Sequence, residues 1–356
     1  MNLPSSRGSS VTAQTKPFAS LTQSELEFWR GTVAQNPQYQ QAFLTASFCE
    51  QVAKVDNKVR VVVIHAGGAL VGVWPLRQHH SWLGHFGVYE PVAGAMSDYF
   101  GAVVTPGIVF NIDSTLRSAG IGAVVFSHLD ETQGVIGLTG DDARPGLRTV
   151  IQGVGEAHWV QLRTLDKKLT ADTERRERKL VAEHGALTFE LMSSTPDKDL
   201  DELIALKKAQ YTRTGKDDAV LFDDHNTLIL RGLLHTATPE CCGLLSVLRV
   251  DGKLVAAHFG LRCNSTLHFW FPAYAKEYAA LSPGRILFRR ILTEGSQQGL
   301  RVLDRGEGDS QAKRDFANEE HLYFSGVWWP KTALGYLARL ALSVWWRLQR
   351  QAVRAK

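Results

Sequence analysis

Between Thr266 and Asp309 the chain sets out a strand, a helix start, a second strand and a row of acids, an order that leaves few folds open. A run of β-formers, Thr266 to Phe271, leads into a loop, and Ser282-Pro283-Gly284 opens a helix. A short apolar strand, Val302 and Leu303, then delivers Asp304, Glu307 and Asp309. Ser282 suits an N-cap, its hydroxyl placed to accept a first-turn N–H, and Pro283 suits the next position, where a missing N–H costs nothing. Leu287 with Ile291 and Phe288 with Leu292 form i,i+4 apolar pairs that seat one side on a sheet, while Arg285 and Arg289 fall opposite. Gly299 ends the helix. The first-turn N–H groups of Gly284, Arg285 and Ile286 then sit at the positive end of the helix dipole, a cradle for a pyrophosphate, with Arg285, Arg289 or Arg290 adding charge. The same residues also cap an ordinary helix, so context has to decide.

A chain of 356 residues exceeds what one core usually supports, which predicts two domains. Hydrophobic residues at 44% and charged residues at 21% are those of an ordinary globular protein, and a net charge of +4 is too small to argue for a nucleic-acid partner. Cys49, Cys241, Cys242 and Cys263 show no zinc-type or paired spacing, which fits a reducing cytoplasm, no structural disulfides and no bound metal. Residues 1–18, rich in Ser, Thr and Gln, read as a disordered tail without the apolar core of a signal peptide.

Helical patterns at Leu21 to Ala34 and Tyr39 to Lys54 precede strands Val59 to Ile64 and Ala69 to Leu76. The order recurs later: helical patterns at Asp199 to Tyr211 and Asn226 to Ala237, then strands Leu244 to Val250 and Leu254 to Arg262 around an Asp251-Gly252 turn. Repetition of helices and hairpin suggests two copies of one α+β unit. Between them, Thr164 to His184 mixes Lys and Arg with nearly as many acids, the pattern of a solvated connecting helix. From Lys331 to Lys356 there are six basic residues and no acid, interleaved with Leu337, Leu340, Trp345 and Trp346. That composition suits a helix lying in a lipid interface or one docked on the protein body, and it is too short in apolar run to span a bilayer.

Hairpin, strand, Ser-Pro-Gly helix, strand and acidic turn resemble, in that order, the acyl-CoA-binding half of a GNAT acyltransferase, in which the strand after the helix splays away to admit the donor. The chain is most similar to the tandem-GNAT branch associated with cellulose and exopolysaccharide biosynthesis, relatives of the Fem aminoacyltransferases. The resemblance runs from about Leu21 to Trp329 and rests on Trp74-Pro75-Leu76, the segment from Glu90-Pro91-Val92 to Ser97-Asp98-Tyr99, Leu281-Ser282-Pro283-Gly284, and Asp304 to Lys313. Ala312 stands where the branch usually has Tyr, and the usual spaced glycines of the GNAT cradle are replaced by Leu281-Ser282-Pro283-Gly284-Arg285.

The resemblance implies two tandem GNAT-like domains, each a mixed, mostly antiparallel sheet flanked by helices: residues 19–160, a connecting helix over 161–190, a donor-binding domain over 191–329, and a basic C-terminal helix over 330–356. It implies acyl-CoA as co-substrate, held by Trp270, Phe271, Ser282, Gly284, Arg285, Ile286 and Arg289, and transfer to an amine or hydroxyl of a small-molecule or glycan acceptor. Backbone N–H groups near Trp270 or Phe271 would polarise the thioester; Asp304, Glu307 or Asp309 would take the proton; Lys313 would pair with one of these acids or hold the acceptor. Tyr274 and Tyr278 are candidate acids or loop-packing residues. The alternatives are Fem-like transfer from an aminoacyl-tRNA and a non-catalytic assembly factor at the inner membrane, anchored by 331–356.

Overall fold

A computed structural model describes residues 11–109, 111–215 and 223–354. In chain order the elements are β1 (Val11–Pro17), α1 (Gln23–Gln35), α2 (Ala46–Val55), β2 (Val59–Ala66), β3 (Ala69–Gln78), β4 (Val88–Glu90), β5 (Val103–Val104), α3 (Ile112–Ser118) and β6 (Ala123–Asp130). They continue with β7 (Asp142–Val150), α4 (Ala157–Leu165), α5 (Lys167–His184), β8 (Leu187–Glu190), α6 (Pro196–Thr214), α7 (Asp224–Leu234), β9 (Ala237–Thr238), β10 (Cys241–Val250), β11 (Lys253–Cys263) and β12 (Thr266–Tyr274). The last are α8 (Pro283–Gln297), β13 (Val302–Glu307), α9 (Gln311–Arg314), β14 (Glu319–Trp328) and α10 (Ala333–Arg354).

Contacts divide the chain into two compact units, one holding residues 43–144 and 322 onward together with the segment before Gln40, the other residues 40–42 and 145–321. In the first, the strand order is β1-β2-β3-β4-β6-β14; in the second, β7-β13-β12-β11-β10-β8. Each sheet is antiparallel except at one place, β4 with β6 and β12 with β13. The two units thus repeat one topology, as the repeated helix-hairpin order suggests. Helices flank both sheets, giving the mixed α/β layering expected of a GNAT-like pair.

The boundaries differ from the linear division expected. The strand that completes the first sheet, β14, follows β13 in sequence, and the strand beside β13, β7, follows β6. Each sheet takes its closing strand from the other stretch of chain, which no run of composition marks. The charged helix α5 is likewise no bare connector, since Leu169, Thr170, Thr173 and Leu180 are buried in the second unit. Residues 11–17, expected in a disordered tail, pair with β2 from Val11↔Ala66 to Pro17↔Arg60. Val11, Thr12 and Thr15 are β-formers, and hydrogen bonds from the edge of β2 order what local composition leaves open. Residues 1–10 of that tail lie outside the described residues.

Local caps match the residues present. Thr22 and Glu25 form a reciprocal capping box at α1, with Thr22 N–H donating to Glu25 Oε2 at 2.7 Å. Thr45 caps α2, so the helix begins at Ala46 and the residues before it form short 3₁₀ turns instead of the longer helix expected. The second unit's core gathers Trp159, Leu180, Leu248, Ile286, Leu287, Ile291 and Leu303 beneath α8.

Candidate functional site

The pairing of β12 with β13 lasts three positions, Thr266↔Val302, Leu267↔Leu303 and His268↔Asp304. Beyond them the strands part. On its other edge β12 carries a bulge, in which Phe269 and Trp270 stand opposite the single residue Gly260 of β11. Gly260 is needed there, because a Cβ would lie 2.2 Å from the His268 carbonyl oxygen. The bulge reverses the alternation, so Phe269 lines the cleft with Pro272, Ala273 and Tyr274.

The cleft is a cavity of about 400 Å³ within the second unit. Phe269, Leu287, Phe288 and Phe316 give it apolar walls, and the N-terminus of α8, at Ser282, Pro283, Gly284 and Arg285, forms one end. Ala312 also lines it, so the small residue at this place leaves volume that a ring would fill. Four cations reach it: Arg176, Lys207, Arg285 and Arg305.

Each cation is placed by its element. Lys207 lies on the buried side of α6 with Leu200, Leu203, Ile204 and Tyr211, and its Nζ donates to the Pro272 carbonyl at 2.9 Å. Arg285 pairs with Asp315 at 2.7 Å. Arg176 on α5 pairs with Asp172 at 2.6 Å and also donates to the Ala280 carbonyl. Arg305 is stacked over Phe288 at 4.6 Å and over Phe269 at 5.7 Å, and its Nη1 donates to the Ala312 carbonyl at 2.7 Å. Its buried Nε has no hydrogen-bond partner among the described residues. Burial pushes the Arg305 pKa down to about 10, partly opposed by the Asp315 charge.

The expected cradle is present in part. Ser282 adopts a left-handed conformation (φ 51°, ψ 52°) and makes no side-chain cap hydrogen bond. In place of its hydroxyl, its carbonyl oxygen accepts from Arg285 N–H at 3.0 Å and from Ile286 N–H at 3.5 Å. Of the three N–H groups expected to face an anion, only that of Gly284 is left without an acceptor among the described residues. Ile286 is itself fully buried in the core. Arg289 points elsewhere, to Glu177 at 3.1 Å, Glu156 at 3.3 Å and the face of Trp159 at 4.9 Å. It lines a separate surface groove with Glu174, Glu177 and Arg290. Trp270 and Phe271 are not among the residues lining the cavity.

The acids and lysine expected to act in catalysis are also outside the cavity lining. Asp304 is fully buried, accepting from Arg148 Nε at 3.0 Å and from Gly306 N–H at 2.8 Å. Asp309 is exposed and pairs with Arg314. Glu307 belongs to the end of β13, and Lys313 Nζ donates to its carbonyl oxygen at 2.5 Å. Of the two tyrosines, Tyr278 packs edge-on against His184 at 5.0 Å, while Tyr274 lines the cavity. Among the described residues no group of His, Cys, Asp or Glu is arranged to hold a metal ion.

Sequence inspection missed Lys207, Arg176 and Arg305. Lys207 had a signal, since it falls at helical spacing on the apolar face of α6. Arg305, between Asp304 and Glu307, looks like charge compensation in an acidic turn. His258 was missed too: it is fully buried and stacked on Phe269 at 3.9 Å, and neither ring nitrogen has a hydrogen-bond partner among the described residues.

Residues 167–314 match the family described as Acetyltransferase (GNAT) domain, a stretch that holds every residue lining the cavity except Phe316. Among solved structures, the crystal structure of FemX aligns with a TM-score of 0.56 at 10% identity, covering 88% of this chain and 96% of that one. A tandem GNAT protein from the clavulanic acid biosynthesis pathway aligns with a TM-score of 0.47 at 10% identity, covering 90% of this chain and all 100% of that one. No curated protein matches the chain. The FemX likeness is one of fold.

Proposed function

We propose that the second unit transfers an acyl group from acyl-CoA to an amine, with the cavity between β12 and β13 as the donor site. The observation that carries this is the joining of three features in one cavity: the parting of two parallel strands, an apolar-walled slot, and a cationic end at the start of α8. A diphosphate would lie at Gly284 among Arg285, Arg176 and Lys207, where the helix dipole and three charges favour it. The thin pantetheine arm would run along the unpaired edge of β12 over Phe269.

In the reaction the amine nitrogen bonds to the thioester carbon, the C–S bond breaks, the amine loses a proton and the thiolate gains one. Among the described residues no carboxylate lines the cavity, so in this reading water takes the proton from the amine and supplies one to the thiolate. Acceptor binding, by the sequence resemblance, is to a glycan or cell-envelope precursor bearing an amine or hydroxyl.

An aminoacyl-tRNA donor would need a broad cationic face. Here the cations converge on about 400 Å³, a volume suited to a diphosphate and a narrow arm. The test is thiol release from a panel of acyl-CoAs with amine acceptors, alongside calorimetry with CoA. Thiol release above background with CoA affinity supports the proposal. Activity abolished by RNase, with no CoA binding, selects the RNA-borne donor instead.

A further inference from the structure

The C-terminal helix α10 has two apolar faces, and the fold uses one. Ala338, Ala341 and Leu342 are buried against Leu83, Val88 and Ala123, and Trp345 meets His79 at 5.7 Å and Trp82 at 6.1 Å. On the outward side, Leu337 is 51% exposed, Leu340 63% and Leu348 52%, with Tyr336 and Val344 also exposed. Leu337, Leu340, Val344 and Leu348 follow one another at three- or four-residue steps and so form a continuous stripe. Arg339, Arg347 and Arg350 fall in the sector beside it, and no Asp or Glu occurs from Lys331 to Lys356.

We propose that this stripe lies on the surface of an anionic lipid bilayer, the leucines entering the headgroup boundary and the arginines meeting lipid phosphates. A docked helix that leaves four aliphatic side chains in water is exposing surface that ordinary packing would bury. Charge selects the occupant. A second copy of the chain would bring cationic edges together without an acid to offset them, whereas anionic headgroups supply the missing counter-charge, worth about fivefold in affinity per arginine near the surface. No helix among the described residues is long and apolar enough to cross a membrane, so the contact is one of lying on the surface.

The test is co-sedimentation of the full chain with vesicles of phosphatidylcholine alone and of phosphatidylcholine with phosphatidylglycerol. Binding to the anionic vesicles, weakened by salt and reduced at least about tenfold in both Leu337→Glu and Leu340→Glu, supports the proposal. Both positions are exposed, so the variants keep the docked face intact; Leu165→Glu, at an exposed site on α4, serves as the control and retains full binding. Absence of binding to anionic vesicles overturns it. So does binding unchanged in the two variants, or a dimer in solution that Leu340→Glu dissociates while vesicle binding is nil.

Discussion

Arg148 on β7 donates to the buried carboxylate of Asp304 on β13 at 3.0 Å, across an antiparallel pairing in which the two residues are directly opposite. Asp304 also accepts from the Gly306 N–H, so its charge is spent on holding the turn after β13. A carboxylate with both oxygens engaged and no exposure is placed to order a strand end, and it is not among the residues lining the cavity.

Asp304→Asn should therefore act on stability. Leaving Arg148 without its buried partner is expected to cost about 3 kcal/mol, read from urea unfolding. Turnover per folded molecule should fall less than about tenfold. A variant as stable as the parent but slowed more than a hundredfold would identify Asp304 as the base after all.

Gly284 presents its backbone to the cavity, and a Cβ there would meet only the Tyr274 ring, at 4.0 Å. Gly284→Ala should fold with unchanged or slightly raised stability, by up to about 1 kcal/mol, because alanine is the better helix former. CoA affinity, measured by calorimetry, should nevertheless fall about tenfold, and further in Gly284→Val. Equal affinity in all three proteins would show that no ligand approaches this backbone.

Arg305 is a cation between two phenyl rings with an unsatisfied Nε. Replacing it by methionine removes a carbonyl hydrogen bond but also an incompletely paired buried charge, and these effects oppose each other. Arg305→Met should change unfolding free energy by less than about 1 kcal/mol while weakening acyl-CoA binding at least about tenfold. Large destabilisation with intact affinity would make Arg305 a structural residue.

His258 is held neutral, its pKa well below the ordinary value because of burial first and the nearby His268 and Arg305 second. The unfolded chain takes up a proton there near pH 6.5 and the folded chain does not. Stability from this group is thus complete above about pH 6.5 and declines as pH falls, by at most about 1.4 kcal/mol per pH unit. His258→Phe, which retains the stack on Phe269, should flatten unfolding free energy between about pH 5 and 6.5. An unchanged slope would mean that the imidazole titrates in the folded state.

Much of the fold was legible because it is written locally. Alternating β-formers, the Asp251-Gly252 turn, and Ser282-Pro283 at a helix start mark strands and a helix whatever surrounds them, and their repetition announced two similar units. The start of α8 as part of a cavity could likewise be read from Ser282 to Arg285, since a helix N-terminus has the same electrostatic sign in every context.

Other features needed the folded chain, because they depend on residues far apart in sequence. The exchange of β7 and β14 is set by which edges find hydrogen bonds, and no local propensity encodes it. Asp304, Glu307 and Asp309 are neighbours in sequence, yet strand alternation and Arg148, 156 residues away, turn the first of them inward. Lys207 and Arg176 come to the cavity from α6 and α5, brought there by apolar partners on their own helix faces. The sequence by itself determined the elements and the place where one helix begins; tertiary packing decided which charges share a cavity, because burial and pairing are properties of the assembled chain.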